Sequence, residues 1–543
     1  MRISLHKISP FPFLCTFCRN SRAMSSSSYE TWSKDELIAR LQELEGLNNS
    51  LQNSTAKSFA RKRPDSPLLA PSTRQSNKFD FASYPRRKIA LKFCYSGWEY
   101  NGLAYQLKPT PLPTVEGVIF DALTRTRLID PAAGYDGCSW EKCGRTDRGV
   151  SAAGQVISLW VRSVLEENMN QTVAQGPTST VEDSIEEPAI DEESTMLDDG
   201  FGSLSLNDRD EELPAPLSTP ARTSKPELDY VAILNRVLPP TIRILAWSPV
   251  SPTFSARFAC KCRHYKYFFS SERLDISKMR DAASRLLGLH DFRNMCKLDP
   301  AKQITIFDRR ILRADIDPVD PSTSAASSSM YVLNLIGTAF LYHQVRHIMA
   351  VLFLVGRGLE HPSVVTSLLN TKEGLESFQP GESHEVVDSK PQYQMADALP
   401  LMLWDCMYSD DDVDWRTDGY ESTSDQSNDS TEDGRGIYHL LHSTRSRSQI
   451  YLALNQHFLD AASNFFPEPW ATTKEGVVGI RFGGNVMIET PLGGGTSRKL
   501  QQYVPLLKRK RLDPVYVVNE RWRNGKGFRR DQRRMAAGEN EDE

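Results

Sequence analysis

The chain has 543 residues, of which 39% are hydrophobic and 25% charged, an ordinary balance for a globular protein longer than one typical domain. Its richest apolar run, residues 348–355, is too short to cross a membrane, which argues against a membrane-spanning class. The nine cysteines include one lone CxxC and one lone CxC, so they provide neither a disulfide framework nor a second pair for zinc, and they indicate reduced thiols in an intracellular compartment.

The net charge of −4 conceals two acidic segments in a basic chain. Residues 164–223 carry a net charge of −13 and residues 409–435 a net charge of −8, so the rest of the chain carries +17. Both segments are rich in Ser, Thr, Pro, Asp and Glu, a composition typical of disordered insertions. They are either tolerated loop expansions or competitors for a basic surface. The basic remainder suits a polyanionic ligand such as nucleic acid.

The N-terminal 85 residues are predicted to lie outside the folded core. Residues 1–32 are basic and Ser-rich, which is typical of a mitochondrial presequence or of a disordered N-terminus, with Met24 as an alternative start. Residues 33–52 begin at a capping-box pair and predict a short coiled-coil-like helix. Residues 53–85 are expected to be a linker. The leucines at coiled-coil spacing are Leu37, Leu41, Leu44 and Leu51.

The core is predicted to begin at Arg86 with a half-buried strand. Ile89, Leu91, Phe93 and Tyr95 alternate there with polar or smaller residues, the period of a strand with one buried face.

Strands and helices then alternate, beginning with a helix whose N-cap is predicted to be Thr114. The pattern predicts further helices at 227–238, 276–287, 343–357 and 363–369, and strands at 242–247, 263–269, 304–313, 330–337 and 401–407. This order, with several adjacent strands, favours an α+β fold. The predicted divisions are an N-terminal half (86–240) interrupted by the first acidic insertion, a C-terminal half (241–407), the second insertion (408–437) and an extension with a basic tail (438–543). The tail would contact phosphates, carry a nuclear address or simply be solvated.

The most distinctive segment is CGRTDRGVSA, residues 143–152, which precedes an apolar, strand-like run. It places one carboxylate, Asp147, between Arg145 and Arg148. Two interpretations follow from the residues alone. The segment is a solvated turn with incidental ion pairs, or it is a loop whose ionised carboxylate acts on an anionic substrate.

The segment GRTDRGVSAAGQV resembles the catalytic loop of the TruA family of tRNA pseudouridine synthases. Other blocks match the family in the same chain order, over roughly residues 86–407. These blocks are LNRVLPP (234–240), FSARF (254–258), RHYKY (263–267), HDFRN (290–294) and FLYHQVR (340–346). The segment HDFRNMCK (290–297) looks most like the eukaryotic branch that modifies tRNA positions 38 and 39.

The resemblance implies a fold of two ferredoxin-like halves that share a central antiparallel sheet, with RNA in the cleft between them. It implies that Asp147 is the catalytic nucleophile or base and that Arg346 is its partner across the cleft. Tyr265 would stack on the target base and take part in proton transfer, although by itself it is a typical strand-core aromatic. The substrate-binding residues implied are Tyr265, Arg145, Arg148 and Arg257.

The implied reaction isomerises uridine, so we expect no metal and no organic cofactor. His343 and His347 have the spacing of a zinc-binding helix, but Gln344 stands where such a site requires Glu. The implied partner is the tRNA anticodon stem-loop, and a homodimer stays open. We expect the nucleus and cytoplasm as compartments, and the mitochondrion for the form that starts at Met1.

Three alternatives are weighed against this function. A non-catalytic RNA-binding module would carry a basic, aromatic recognition motif that the chain lacks. A glycosidase would need two facing carboxylates, and one acid stands out here. A synthase of the same family that acts at other tRNA positions is the nearest alternative.

Overall fold

The computed structural model describes residues 79–165, 227–320, 330–373, 385–418, 436–472, 478–482 and 485–536. The predicted presequence, the coiled-coil-like helix, most of the linker and nearly all of the first acidic insertion lie outside these residues. Packed residues begin before Arg86, the predicted start of the core. Phe79 stacks on Tyr84 with ring centroids 5.0 Å apart. The guanidinium groups of Arg127 and Arg162 lie over the Phe79 ring.

The described chain is an α+β structure. Its strands are β1 Arg86–Tyr95, β2 Glu141–Lys142, β3 Ser151–Arg162, β4 Ile242–Pro249, β5 Cys262–Ser270, β6 Gly288–Asp291, β7 Asp308–Pro318, β8 Met330–Gly337, β9 Leu401–Met407, β10 Trp470–Thr472, β11 Val478–Phe482, β12 Asn485–Gly493 and β13 Thr496–Leu500. Its helices are α1 Val115–Arg125, α2 Gly134–Gly137, α3 Tyr230–Asn235, α4 Ile276–Ser284, α5 Gln344–Gly356, α6 Val364–Leu369, α7 Ile437–Ser463, α8 Val515–Trp522 and α9 Phe528–Ala536.

The first strand and helix form for the reasons that the sequence predicts. Thr114 caps α1, because its Oγ1 accepts a hydrogen bond from Gly117 N at 3.2 Å. Strand β1 is buried more completely than a half-buried strand, since Ala90 is as inaccessible as its neighbours Ile89 and Leu91. The reason is its central position, with β3 and β4 paired on its two edges.

One large sheet carries β1 to β9, in the order β4-β1-β3-β9-β5-β8-β7-β6, with β2 paired to β3. Its neighbours are antiparallel except β3 and β9, which pair in parallel through Ser151–Met402 and Ala152–Leu403. This short parallel pairing joins strands from the two halves of the chain. It lies directly after the segment that carries Asp147.

Two hydrophobic cores flank this junction. The first contains β1, β3 and β4 with α1 and α3. The second contains β7 and β8 with α4, α5 and α6. Helix α5 fills the second core, because all of its residues except Arg346 are buried.

Several predicted boundaries are corrected by the structure. The helix predicted at 227–238 spans Tyr230–Asn235, since Asp229 caps it through Ala232 N at 2.8 Å. The helix predicted at 276–287 ends at Ser284. The strand predicted at 304–313 starts at Asp308 and continues to Pro318, because its second half forms a ladder with β8.

The second acidic insertion, predicted as disordered over 408–437, contains an ordered first part. Trp247 N and Arg416 O are 2.9 Å apart, and Arg416 N and Trp247 O are 2.7 Å apart. Asp414 N also donates to Ser248 Oγ at 2.8 Å, and Val413 is buried. This segment covers the outer edge of β4, which would otherwise expose unpaired backbone groups. Residues 419–435 lie outside the described chain.

The C-terminal extension contains structure that the sequence pattern did not predict. Strands β10 to β13 form a second sheet. Part of the basic tail pairs with the body, since Leu512 N donates to Lys390 O at 2.8 Å and Gln392 N to Lys510 O at 3.0 Å. Leu506 is fully buried in the second core. Across the described ranges, no helix combines the length and the hydropathy of a membrane span.

Candidate active site

The Asp147 loop, residues 143–150, is fixed by buried contacts to the first core. Tyr95 Oη and Thr146 Oγ1 lie 2.6 Å apart, and both side chains are buried. Leu103 N donates to Thr146 O at 3.3 Å. Gly102 has a φ of +92°, and a Cβ there would lie 3.1 Å from Thr146 O, so the close approach requires glycine. Gln155 Nε2 holds the start of the loop through Gly144 O at 2.9 Å.

The Asp147 carboxylate points at the first turn of α5. Its Oδ2 lies 3.4 Å from Arg346 Nη1 and 3.0 Å from His343 Nε2. The Asp147 side chain is 26% exposed, whereas those of Arg346 and His343 are 12% and 6% exposed. The carboxylate is therefore held from the protein side and open on the other. The predicted contact between Asp147 and Arg346 is present.

Arg346 is held from a second direction. Its Nε donates to Ala396 O at 2.8 Å, and its backbone oxygen accepts from Ala396 N at 3.1 Å. A lysine at this position would keep the charge but would lack the fixed planar geometry of the guanidinium.

Sequence reasoning considered His343 only as a metal ligand and missed its contact with Asp147. The structure separates the two histidines, because His343 contacts Asp147 whereas His347 lies beside Lys390 Nζ, 3.0 Å from Nε2. The spacing in the sequence could have predicted this contact. His343 precedes Arg346 by three residues, and residues three apart lie on the same side of a helix. His343 Nδ1 has no hydrogen-bond partner among the described residues.

Tyr265 lies on β5 between β8 and β9, opposite Leu335 and Leu403. Its ring packs edge-to-face on Phe340, 4.9 Å between centroids. It is partly buried and contacts both cores, whereas Tyr267 on the same strand face is fully buried. Burial is the main reason that the pKa of Tyr265 is raised above its ordinary value, so the phenol stays protonated.

The three predicted binding arginines are all exposed. Arg145 and Arg148 flank Asp147 on the loop, and Arg257 lies 5.2 Å from the ring of the exposed Phe258. Arg263, which the prediction did not single out, anchors this region: its Nη2 donates to the backbone oxygens of Cys143 at 3.1 Å and Arg257 at 3.0 Å. The Asp147 loop and the FSARF segment thus share one anchor.

An aromatic and basic surface adjoins the carboxylate, and the sequence did not single it out. The rings of Tyr342 and His343 are 3.8 Å apart, and Tyr342 is 39% exposed. The ammonium groups of Lys297 and Lys302 lie 5.6 and 5.5 Å from the Tyr342 ring centroid. An exposed ring bordered by lysines suits a base and its phosphates.

Buried cysteines lie in and around the Asp147 loop. Cys143, Cys260 and Cys406 are buried, and the seven cysteines in the described ranges are all free. The neighbouring side chains of Cys260 and Cys406 are the main cause that lowers the pKa of Cys143. The Cys260 thiol itself donates to the backbone oxygen of Cys262 at 3.3 Å. Reduced thiols in an intracellular compartment stay a prediction.

Comparison with known proteins identifies the class to which this fold and site belong. A family model described as tRNA pseudouridine synthase matches residues 282–409. The tRNA pseudouridine(38/39) synthase of Saccharomyces cerevisiae is 35% identical over 503 residues, 91% of this chain and 92% of the relative. The human protein of the same name is 37% identical over 388 residues, 70% of this chain and 67% of the relative.

A more distant relative extends the match to archaea. The tRNA pseudouridine synthase A of Methanosarcina mazei is 28% identical over 299 residues, 55% of this chain and 81% of the relative. The chain belongs to the tRNA pseudouridine synthase family and is an isomerase. The resemblance seen in the sequence motifs is confirmed.

Proposed function

We propose that this protein converts uridine to pseudouridine at positions 38 and 39 of tRNA, with Asp147 as the catalytic residue. The relatives named for these two positions support the specificity. The observation that carries the catalytic assignment is the Asp147 carboxylate, exposed on one side and held by Arg346 and His343 on the other.

The reaction is an isomerisation, so every atom of the product comes from the uridine, apart from exchange of protons. The C1′–N1 bond breaks, the uracil turns over, and C1′ bonds to C5. N1 gains a proton and C5 loses one, so no electrons leave the nucleotide and no water is consumed. An ionised carboxylate serves as nucleophile or base for such a sequence, and a positioned group must move the proton.

Arg346 and His343 position this carboxylate. Among the described residues, both contact Oδ2, which leaves Oδ1 to face the substrate. A carboxylate fixed by donors does not have to reorient during the reaction, and such preorganisation is a large source of catalytic power. Tyr265 is the proposed base-stacking residue, and its protonated phenol is the proposed proton donor.

The proposed architecture is two ferredoxin-like halves with the substrate in the cleft between them. Two separate cores, joined through β3 and β9, support this arrangement. Asp147 comes from the first half and Arg346 from the second. A uridine must leave its stack to reach a carboxylate in such a cleft, at a cost of a few kcal/mol that stacking and phosphate contacts offset.

The proposed substrate surface is the anticodon stem-loop, recognised by shape. Positions 38 and 39 lie where the loop meets its stem, and proteins recognise folded RNA largely through its backbone. Arg145, Arg148 and Arg257 supply exposed positive charge beside the carboxylate. The charge of +17 outside the acidic segments supports the same mode.

The test is modification of several full-length tRNAs with different loop sequences, followed by site-resolved mapping of pseudouridine. We expect product at positions 38 and 39 in all tRNAs that carry uridine there. Product confined to the upper stem or the D-arm would assign the protein to another specificity within its family.

A further inference from the structure

Strands β12 and β13 of the C-terminal extension form a hairpin, and β12 packs against α5. Directly after α5, Arg357 Nε donates a hydrogen bond to Glu489 O at 3.1 Å. Ile488 and Thr490, the chain neighbours of Glu489, are buried. The hairpin is therefore held against the helix that carries Arg346.

The tip of this hairpin is a two-residue turn made of glycine. Gly493 pairs with Thr496, so Gly494 and Gly495 are the two turn residues. Their φ angles are +60° and +75°, and the φ angle of Gly493 is +85°. Glycine adopts such angles without steric cost, and a tight hairpin of this type requires them at both turn residues. The three glycines make a narrow tip that can approach another segment closely.

The tip contacts residues 396–398, the segment that precedes β9. Asp397 N donates a hydrogen bond to Leu492 O at 2.6 Å. The hydroxyl of Tyr267, on β5, lies 3.0 Å from Asp397 O and 3.4 Å from Leu492 O. A Cβ at Gly493 would overlap this hydroxyl, so the close contact requires glycine at this position.

The same segment also contacts both parts of the active site. Arg346 Nε donates to Ala396 O at 2.8 Å, and Ala396 N donates to Arg346 O at 3.1 Å. Ala398 lies beside the Asp147 loop, because a Cβ built on Gly149 would be 3.4 Å from the Ala398 Cβ. A displacement of this segment would therefore move Arg346 relative to the Asp147 carboxylate.

We propose that Gly493 is a positioning residue for the active site. The hairpin tip fixes the segment 396–398, and Ala396 in turn fixes the Arg346 guanidinium beside Asp147. This role of Gly493 rests on the catalytic role proposed for Asp147. A displacement of about 1 Å in a group that positions a reacting atom lowers a rate by up to about 100-fold, so a remote contact of this kind affects catalysis.

The hairpin lies outside residues 282–409, the part of the chain that the family model matches. Its simplest alternative role is to cover the second half of the chain and stabilise its folding. The two roles have different kinetic signatures. A cover contributes to the free energy of unfolding, whereas a positioning residue changes the rate of the reaction on bound tRNA without changing its affinity.

The test compares Gly493→Ala with Gly495→Ala in the full-length protein. Alanine strains the backbone at both positions, because both glycines have a positive φ. A Cβ at position 493 meets the Tyr267 hydroxyl, whereas a Cβ at position 495 has open space among the described residues. The two variants therefore differ in the contact and share the strain.

Single-turnover pseudouridine formation on one tRNA should be about 10- to 100-fold slower in Gly493→Ala and within about threefold of wild type in Gly495→Ala. The dissociation constant for tRNA should stay within about threefold of wild type in both variants. Product is counted at every uridine, through the tritium that leaves C5 of labelled tRNA. Thermal unfolding of each variant establishes that it is folded.

Tyr267→Phe tests the same contact without backbone strain. It removes the hydroxyl beside Asp397 O and keeps the ring in the second core. The single-turnover rate should fall about 3- to 10-fold at unchanged tRNA affinity, because a buried carbonyl loses its donor and the segment is held less firmly. If Gly493→Ala does not fold, the result for Tyr267→Phe decides.

A wild-type rate in folded Gly493→Ala or in Tyr267→Phe would overturn the proposal. An equal loss of rate in the two glycine variants, or a loss of affinity in place of rate, would also overturn it and would leave the hairpin a structural cover. Failure of the proposed function has a separate signature. Wild-type product away from positions 38 and 39, or activity that survives Asp147→Asn, would contradict that function whatever the glycine variants show.

Discussion

Asp147 and Arg346 are 199 residues apart in the chain, yet the fold brings their side chains to 3.4 Å. The loop fixes one partner and the buried helix α5 fixes the other. Since Arg346 is the one residue of α5 that is not buried, the helix presents a guanidinium to the carboxylate while its other residues fill the core. His343, directly before α5, adds a second contact to the same oxygen.

The contact from His343 predicts a measurable effect on catalysis. His343→Leu should lower kcat about 10- to 100-fold with little change in KM, because a hydrogen bond to a charged group contributes roughly 1.5–3 kcal/mol. His343→Asn keeps a donor and should recover part of the rate. Single-turnover kinetics on one tRNA provide the measurement. An unchanged kcat in His343→Leu would show that this contact does not position Asp147.

The exposed arginines of the loop predict an electrostatic effect on binding. Arg145→Ala and Arg148→Ala should weaken tRNA binding and reduce the slope of log affinity against log salt by about 0.7–0.9 for each phosphate that the variant no longer neutralises. Arg313→Ala is the control, since this arginine is already paired with Asp315 and Asp317. A slope that the loop variants leave unchanged would contradict the proposed phosphate contacts.

Helix α5 also buries a histidine that cannot accept a proton easily. Burial and then the Lys390 ammonium lower the pKa of His347 to about 2 from an ordinary value of 6.5. Burial likewise lowers the pKa of Lys390 to about 8. Other cations facing His347 act in the same direction; they are His343, Arg346 and Lys297. The edge-to-face ring of Tyr393 completes the surroundings.

This histidine makes stability sensitive to acid. Between pH 6.5 and pH 2 the unfolded chain binds a proton at His347 that the folded chain does not, so stability falls as pH is lowered. Lowering the pH from 7 to 5 should cost about 2 kcal/mol from this group. His347→Gln should reduce the difference between urea midpoints at these two pH values, whereas His439→Gln, exposed on α7, should not. Equal pH dependence in wild type and His347→Gln would contradict this account.

The local sequence pattern predicted many helices and strands, because the residues that these elements bury recur in the sequence with the period of a helix or a strand. Strand β8 has its predicted bounds, and Thr114 caps α1 as expected. Strands β10 to β13 and helix α7 were missed, since short strands lack a strong period and the apolar residues of α7 extend beyond one stripe. The contact between Asp147 and Arg346 followed from family resemblance, because no local pattern specifies a pair so distant in sequence. His343 was missed because its spacing was compared only with a zinc site.

At the scale of the molecule, the first acidic insertion leaves and re-enters the fold at one place. Ser163 Oγ donates to Glu227 Oε2 at 2.6 Å, and Val164 N donates to Glu227 Oε1 at 3.1 Å. The chain on either side of the insertion is therefore already joined by hydrogen bonds. A short linker can replace the segment without moving β3 or α3.

Replacing residues 166–226 with a short Gly/Ser linker should leave the modified positions unchanged and tRNA affinity within about threefold at physiological salt. This expectation treats the insertion as a tolerated loop expansion, one of the two alternatives that its composition allows. Site-resolved mapping and filter binding provide the measurements. A rise in affinity of tenfold or more at low salt would show instead that the acidic segment competes with tRNA.

The catalytic role of Asp147 is tested by comparing wild type with Asp147→Asn in single-turnover pseudouridine formation on one tRNA, with tRNA binding measured in parallel. The substitution keeps the size of the side chain and removes its charge. We expect no detectable product at positions 38 and 39 and a dissociation constant within about threefold of wild type. Turnover within about tenfold of wild type, a barrier difference below ~1.4 kcal/mol, would contradict Asp147 as the catalytic residue.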